Sequence, residues 1–183
     1  MDHEIGRSRP EWALWRWILP KPKLDAIDRR ILAALQGDAR ISNVDLADAV
    51  GLSQSPCLRR VRALEEAGVI TGYRATLDRP AVGLGLTVFV GVKVARHTDA
   101  DASAFRTAVA ALPEVVSCHL VSGESDFLLQ VVLPGLAAYE RLLTGTLLKV
   151  PGVQDIRSNF AIQTVKDGGA LPLGHVGAEP DRG

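Results

Sequence analysis

The stretch SNVDLADAVGLSQSPCLRRVRALEEAGVITGY, Ser42 to Tyr73, constrains the fold more than any other part of the chain. Leu46, Ala47 and Val50 recur at helical spacing and predict a short amphipathic helix from Asn43 to Val50. Ser42 stands where it can cap that helix, with Asp45 three residues on as in a capping box. Gly51 can supply the left-handed residue that ends it, and Ser53 can cap the helix that follows. Helix, Gly-Leu-Ser, helix is the spacing of a helix-turn-helix.

The second helix carries the chemistry. Cys57, Val61, Leu64 and Gly68 fall on one side, where they can pack inward. Ser55, Arg59, Arg62 and Glu66 fall on the opposite side, with Arg60 on a flank. Pro56 lies in the first turn, where its missing N–H costs little. Hydroxyls at a helix N-terminus and arginines along its outer face suit the major groove of double-stranded DNA. On that reading Ser53 caps the helix, and Gln54 and Ser55 lie closest to the bases. Arg59, Arg60 and Arg62 then contact phosphate or guanine. Arg60 has an alternative, an internal pair with a nearby acidic residue. From spacing alone the DNA reading is the favoured one, and an ordinary solvated helix with three arginines is its alternative. The segment ITGYRATL after Val69 is expected to form a strand or small wing, with Arg74 at its backbone-contacting edge.

Leu24, Ile27, Ile31 and Leu35 mark an earlier helix ending near Gly37, which completes a three-helix core. Asp25 and Asp28 lie in its first turn, where the helix dipole favours them. Residues 24–78 hold seven Arg and no Lys against eight Asp and Glu, so this domain has no basic excess. Its positive charge is local, and binding must depend on placement and on several copies acting together. The whole chain of 183 residues has a formal charge of zero and is 47% apolar, as an ordinary globular protein is. Two separated cysteines, Cys57 and Cys118, argue against a disulfide framework or zinc site and point to a reducing cytoplasm.

Residues 1–23 form an arm with three tryptophans, read as a flexible extension without assigned function. Its apolar run Trp12 to Leu19 is too short to span a bilayer, so no membrane role is expected. After Asp78, residues 79–85 (RPAVGLG) read as a hinge, and the periodicity then changes. Leu86–Val94 predicts a strand and 99–112 a helix. Strands at 115–122 and 127–133, a helix at 137–150 and a strand at 153–165 follow. The order is βαββαβ, the ferredoxin-like split pattern over residues 86–166, and the chain as a whole is α+β. Half of the second sheet face is expected to be apolar, with Phe89, Gly91 and the opposite set of valines, which predicts that another copy covers it. The tail, 167–183, is expected to be disordered apart from anchors such as Leu171 and Leu173.

His97 and His119 have no partner at metal-ligand spacing, so no metal site is expected. No nucleophilic triad or phosphate-binding loop is present in the sequence, and the chain is not expected to be an enzyme or to need a cofactor. Ser122-Gly123-Glu124-Ser125-Asp126 reads, by its residues, as a hairpin turn.

The run from Leu24 to Asp78 resembles the DNA-binding half of the Lrp/AsnC (leucine-responsive, feast/famine) transcription regulators. Leu24-Asp25, Arg40-Ile41-Ser42, Leu46-Ala47, Gly51-Leu52-Ser53, Leu64-Glu65, Gly68-Val69-Ile70 and Gly72-Tyr73 carry the likeness, which continues more weakly to about Leu173. The resemblance implies a winged helix-turn-helix domain, a homodimer through the sheets and a higher assembly of dimers. It also implies a small-molecule effector, an amino acid, held near the family's G-x-x-D loop. Gly123 and Asp126 match that loop, so Ser122, Gly123, Ser125 and Asp126 become effector residues, with Phe160 and Ala161 on the last strand. Backbone N–H groups would hold the effector carboxylate and Asp126 its ammonium. The expected function is sequence-specific transcription regulation whose assembly or DNA affinity responds to that amino acid. The alternative is an architectural protein that wraps DNA without a ligand.

Overall fold

The computed structural model describes residues 22–95 and 99–177. Two compact units divide the chain. The first runs to Thr76 and takes up the chain again from Lys166; the second is Leu77–Val165. The arm and His97 lie outside the described residues, except for Pro22 and Lys23.

The first unit contains α1 (Ala26–Gly37), α2 (Asn43–Val50) and α3 (Gln54–Glu66). Each boundary has a local cause. Asp25 caps α1 by accepting from the Ile27 and Asp28 N–H groups at 2.8 and 2.9 Å, and Asp28 Oδ2 accepts from the Asp25 N–H at 3.1 Å. That reciprocal pair is a capping box built from two aspartates. Ser42 caps α2 through the Asp45 N–H, while its hydroxyl donates to the Asp45 carboxylate at 2.7 Å. Gly51 ends α2 with φ of 70°, in the left-handed region. Ile31 and Cys57 have 0% exposure, and with Leu46, Ala47, Val50 and Leu64 they form the core of this unit. Burial pushes the Cys57 thiol pKa up, in keeping with a small core residue.

The second unit is a four-stranded antiparallel sheet of β1 (Leu86–Val94), β2 (Val115–Leu120), β3 (Phe127–Leu133) and β4 (Val153–Phe160), ordered β2-β3-β1-β4. The helices α4 (Asp99–Ala110) and α5 (Leu136–Gly145) complete the βαββαβ order. Val88, Val90, Val92 and Val94 alternate inward from β1 and meet Phe105, Val109, Tyr139 and Leu142 of the helices. Phe105 and Phe127 bring ring centroids to 4.6 Å at the centre of this core.

Two expectations are corrected. No strand forms between Thr71 and Asp78, because among the described residues no segment pairs with it. The last strand stops at Phe160 rather than Val165: Ala161 still donates to the Thr87 carbonyl at 3.0 Å, but β1 begins at Leu86 and offers no further partner. The other sheet face is part apolar, as expected: Phe89, Gly91, Leu128 and Val132 share it with Thr87, Lys93, Ser117, His119 and Gln130. After Lys166 the described tail has no helix or strand; Leu171 anchors it, as expected, and Val176 adds a second anchor. Gln36 binds both backbone groups of Leu171, and Val176 is buried.

Candidate nucleic-acid interface and effector loop

Helix α3 presents Gln54, Ser55, Arg59 and Arg62 outward, all exposed, with Ser53 at its N-cap. The Ser53 hydroxyl makes no capping bond, contrary to expectation. Asn43 of α2 instead donates from Nδ2 to the Gln54 carbonyl at 3.2 Å, linking the start of α3 to the preceding helix. Ser53, Gln54 and Ser55 are all exposed at the start of α3. Among the described residues Arg59, Arg62 and Arg74 form no ion pair.

Arg60 behaves differently. Its Nη1 donates to Asp25 Oδ2 and Asp28 Oδ1, both at 2.8 Å. The two carboxylates raise the Arg60 pKa, Asp28 first. The Asp28 backbone N–H, and then Arg60, hold the Asp25 carboxyl below its ordinary range despite some desolvation. The internal pair foreseen as the alternative for Arg60 is thus formed. It joins the flank of α3 to the N-terminus of α1.

The segment after α3 is fixed near its start, where the Tyr73 hydroxyl donates to Glu65 Oε1 at 2.9 Å. Arg74, next in sequence, is exposed beside it.

The loop Ser122–Asp126 joins β2 to β3 and is tied to the sheet at several points. The Asp126 N–H donates to the Val92 carbonyl at 3.0 Å, and the Val94 N–H donates to Asp126 Oδ2 at 2.8 Å. One carboxylate oxygen of Asp126 therefore holds the end of β1, a use that its sequence position did not reveal. Ser125 lies over Gly91: a Cβ there would stand 2.4 Å from the serine Oγ. Glu124 pairs with Arg157 of β4, and Gly123 has φ of 126°, where glycine is favoured.

Phe160 and Ala161 lie elsewhere. Phe160 pairs with Val88, whereas Phe127, next to the loop, pairs with Val92. Four residues along β1 are about 13 Å, so one protomer does not bring the two groups of effector residues together. Phe160 stacks edge-on against Tyr139 at 5.4 Å, and the Tyr139 hydroxyl is hydrogen-bonded to Ser158. An open groove of about 570 Å³ lies by the opposite end of β3, between Leu84, Glu114, Leu133, Arg141 and Thr146; no expected effector residue lines it.

A helix-turn-helix unit followed by a ferredoxin-like sheet domain defines a two-domain DNA-binding regulator. The comparisons specify which kind. Residues 24–71 match the winged helix-turn-helix DNA-binding model, and residues 87–171 match the Lrp/AsnC ligand-binding domain. The chain is 47% identical to the leucine-responsive regulatory protein of Escherichia coli K12 over 154 residues, 84% of this chain and 94% of that one. The protein of the same name from Rhizobium meliloti is 48% identical over 145 residues, 79% and 93% of the two chains. Among solved structures, a Neisseria meningitidis transcriptional regulator in complex with L-Met superposes with a TM-score of 0.79 at 41% identity, covering 83% of this chain and 98% of that one. An AsnC family regulator from Agrobacterium tumefaciens gives 0.79 at 39%, covering 83% and 99%. The chain belongs to the Lrp/AsnC family of DNA-binding transcriptional regulators, with the family's ligand-binding domain.

Proposed function

We propose that this regulator binds specific double-stranded DNA sites through α3 as a homodimer or an assembly of dimers, and that an amino acid tunes its binding. The observation that carries the DNA half is the division of labour on α3. Arg60 is spent inside the unit, while Arg59 and Arg62 extend freely beside Gln54 and Ser55. Arg59 and Arg62 then take phosphate or guanine contacts, and Arg74 contacts the backbone. The amino-acid half draws on the relatives' leucine-responsive names and on the L-Met complex of a structural neighbour. In this chain the effector residues are Ser122, Gly123, Ser125 and Asp126 of one protomer with Phe160 and Ala161 of another. Their separation of about 13 Å along β1 within one chain favours a site shared between copies. Asp126 Oδ1 is the oxygen left for an ammonium, because Oδ2 serves Val94. The effector acts by linkage, favouring one assembly and so changing how many helix-turn-helix units reach their half-sites. The protein works in the cytoplasm. The architectural, ligand-independent alternative has no support in the comparisons.

The test is a mobility-shift titration against the protein's own upstream DNA, with and without a pool of the twenty amino acids. A specific shift that the pool alters is expected, and dividing the pool then isolates the effector. Arg59→Ala and Arg62→Ala should each lose about 5- to 100-fold in affinity, the worth of a good guanine contact, with oligomer size unchanged. Unaltered affinity in both variants would overturn the docking of α3, and indifference to every amino acid would overturn the effector.

A further inference from the structure

The tail runs along α1 and meets both of its ends. At the C-terminal end, Gln36 Nε2 donates to the Leu171 carbonyl at 3.3 Å and the Leu171 N–H donates to Gln36 Oε1 at 2.6 Å. Val176 is 8% exposed, and its N–H donates to the Leu173 carbonyl at 3.0 Å. At the N-terminal end, Gly177 lies against the cap of α1. A Cβ on Gly177 would stand 2.8 Å from the Ala26 nitrogen and 2.9 Å from the Asp25 carbonyl carbon, and its φ is 68°. Space and backbone conformation both call for glycine there. Ten helical steps from Ala26 to Gln36 span about 15 Å, within reach of six tail residues in an extended or partly folded path.

The contact falls on the residue that caps α1 and pairs with Arg60 of α3. Asp25 caps α1 through Ile27 and Asp28, and its Oδ2 receives Arg60 from α3 at 2.8 Å. Arg60 stands between Arg59 and Arg62, so its anchor on Asp25 lies beside both outward arginines. Gly177 lies beyond both family-matched segments, which end at residues 71 and 171. We infer that the tail 171–177 is a positioning element for DNA recognition, with Gly177 its critical residue. Seated on the α1 cap, it fixes Asp25, and Asp25 fixes the outward arginines of α3 through Arg60. The inference rests on the docking of α3 proposed above.

Full-length Gly177→Val, Gln36→Ala and Asp25→Asn proteins test it, singly and with Gly177→Val placed on Asp25→Asn. Asn keeps the cap but removes one of the two charges that hold Arg60, leaving Asp28 in place. Anisotropy titrations with the upstream DNA read affinity, and amide exchange at Val176 reads tail docking. Gly177→Val and Gln36→Ala should release the tail and each raise Kd about 5- to 10-fold. On the Asp25→Asn background, Gly177→Val should add less than about 2-fold. Wild-type affinity with a released tail would overturn the inference. So would the same loss with and without Asp25, or a tail whose exchange neither variant changes. If Gly177→Val does not fold, Gln36→Ala, altered at an exposed side chain, carries the same comparison. Wild-type protein without specific binding would instead remove the docking of α3, a separate failure.

Discussion

Arg60 lies between two outward arginines on one helix, yet its guanidinium turns back onto Asp25 and Asp28. The reason is its angular place on the flank of α3, within reach of the α1 N-terminus, where two carboxylates are already fixed by capping. Pre-fixed partners reduce the entropy that a long side chain loses in pairing. The pair is half exposed, with Arg60 and Asp25 side chains at 34% and 51%, so its worth is that of a surface ion pair. Asp25→Asn should therefore cost under about 1 kcal/mol at neutral pH. Its pH dependence has a definite sign. The folded state lowers the Asp25 pKa, so the stabilisation is complete above the ordinary carboxylate range and is lost as pH falls through the lowered value. Thermal melts should show the gap between wild type and Asp25→Asn closing below about pH 4. A gap that stays constant down to pH 2.5 would assign the difference to something other than this carboxylate.

At the scale of elements, the ends of α2 show why parts of this fold are legible in sequence. Ser42 and Gly51 mark its limits by short-range chemistry, a hydroxyl on a nearby N–H and a left-handed glycine, and both act as their positions predict. Gly51→Ala should destabilise the first unit by about 1–2 kcal/mol, because a Cβ is strained at φ of 70°. That corresponds to a fall of several degrees in its melting midpoint, roughly 4–8 °C per kcal/mol for a domain of this size. An unchanged midpoint would mean that the turn relaxes to another conformation. What sequence did not show depends on distant partners. The anchor of the tail joins Gln36 to Leu171 across 135 residues, and no periodicity signals it. The Asp126 carboxylate was read as a ligand group, yet Oδ2 is committed to Val94, 32 residues away. The strand after α3 is absent for a related reason: residues 71–78 have strand-like composition, but a strand needs a neighbour, and the described residues of one protomer supply none. Ser53 occupies its cap position with the expected backbone, while the bond that orders the start of α3 comes from Asn43. Position was legible there, and hydrogen-bond choice was not.

At the scale of the molecule, the balance of charge decides how specificity is reached. Twenty-one basic residues face twenty-one acidic ones, so bulk attraction to DNA is weak and a single helix-turn-helix has few phosphate contacts to offer. On the proposed mode of binding, affinity comes from linking: once one copy is bound, its partner meets the second half-site at a raised effective concentration. Linked binding is sensitive to helical phase, because a duplex turns its face once in about 10.5 base pairs. Inserting about 5 base pairs between the half-sites of a natural target rotates them to opposite faces, and inserting about 10 restores the phase. The first insertion should lower affinity about 10- to 100-fold towards the single-site value, and the second should recover most of it, provided the assembly tolerates the added length. Titrating the three duplexes side by side separates phase from distance. A steady decline with length, without recovery at the full turn, would mean that the copies are joined flexibly. Equal affinity for all three would mean that each helix-turn-helix binds alone, leaving an effector that acts on assembly no means of changing DNA occupancy.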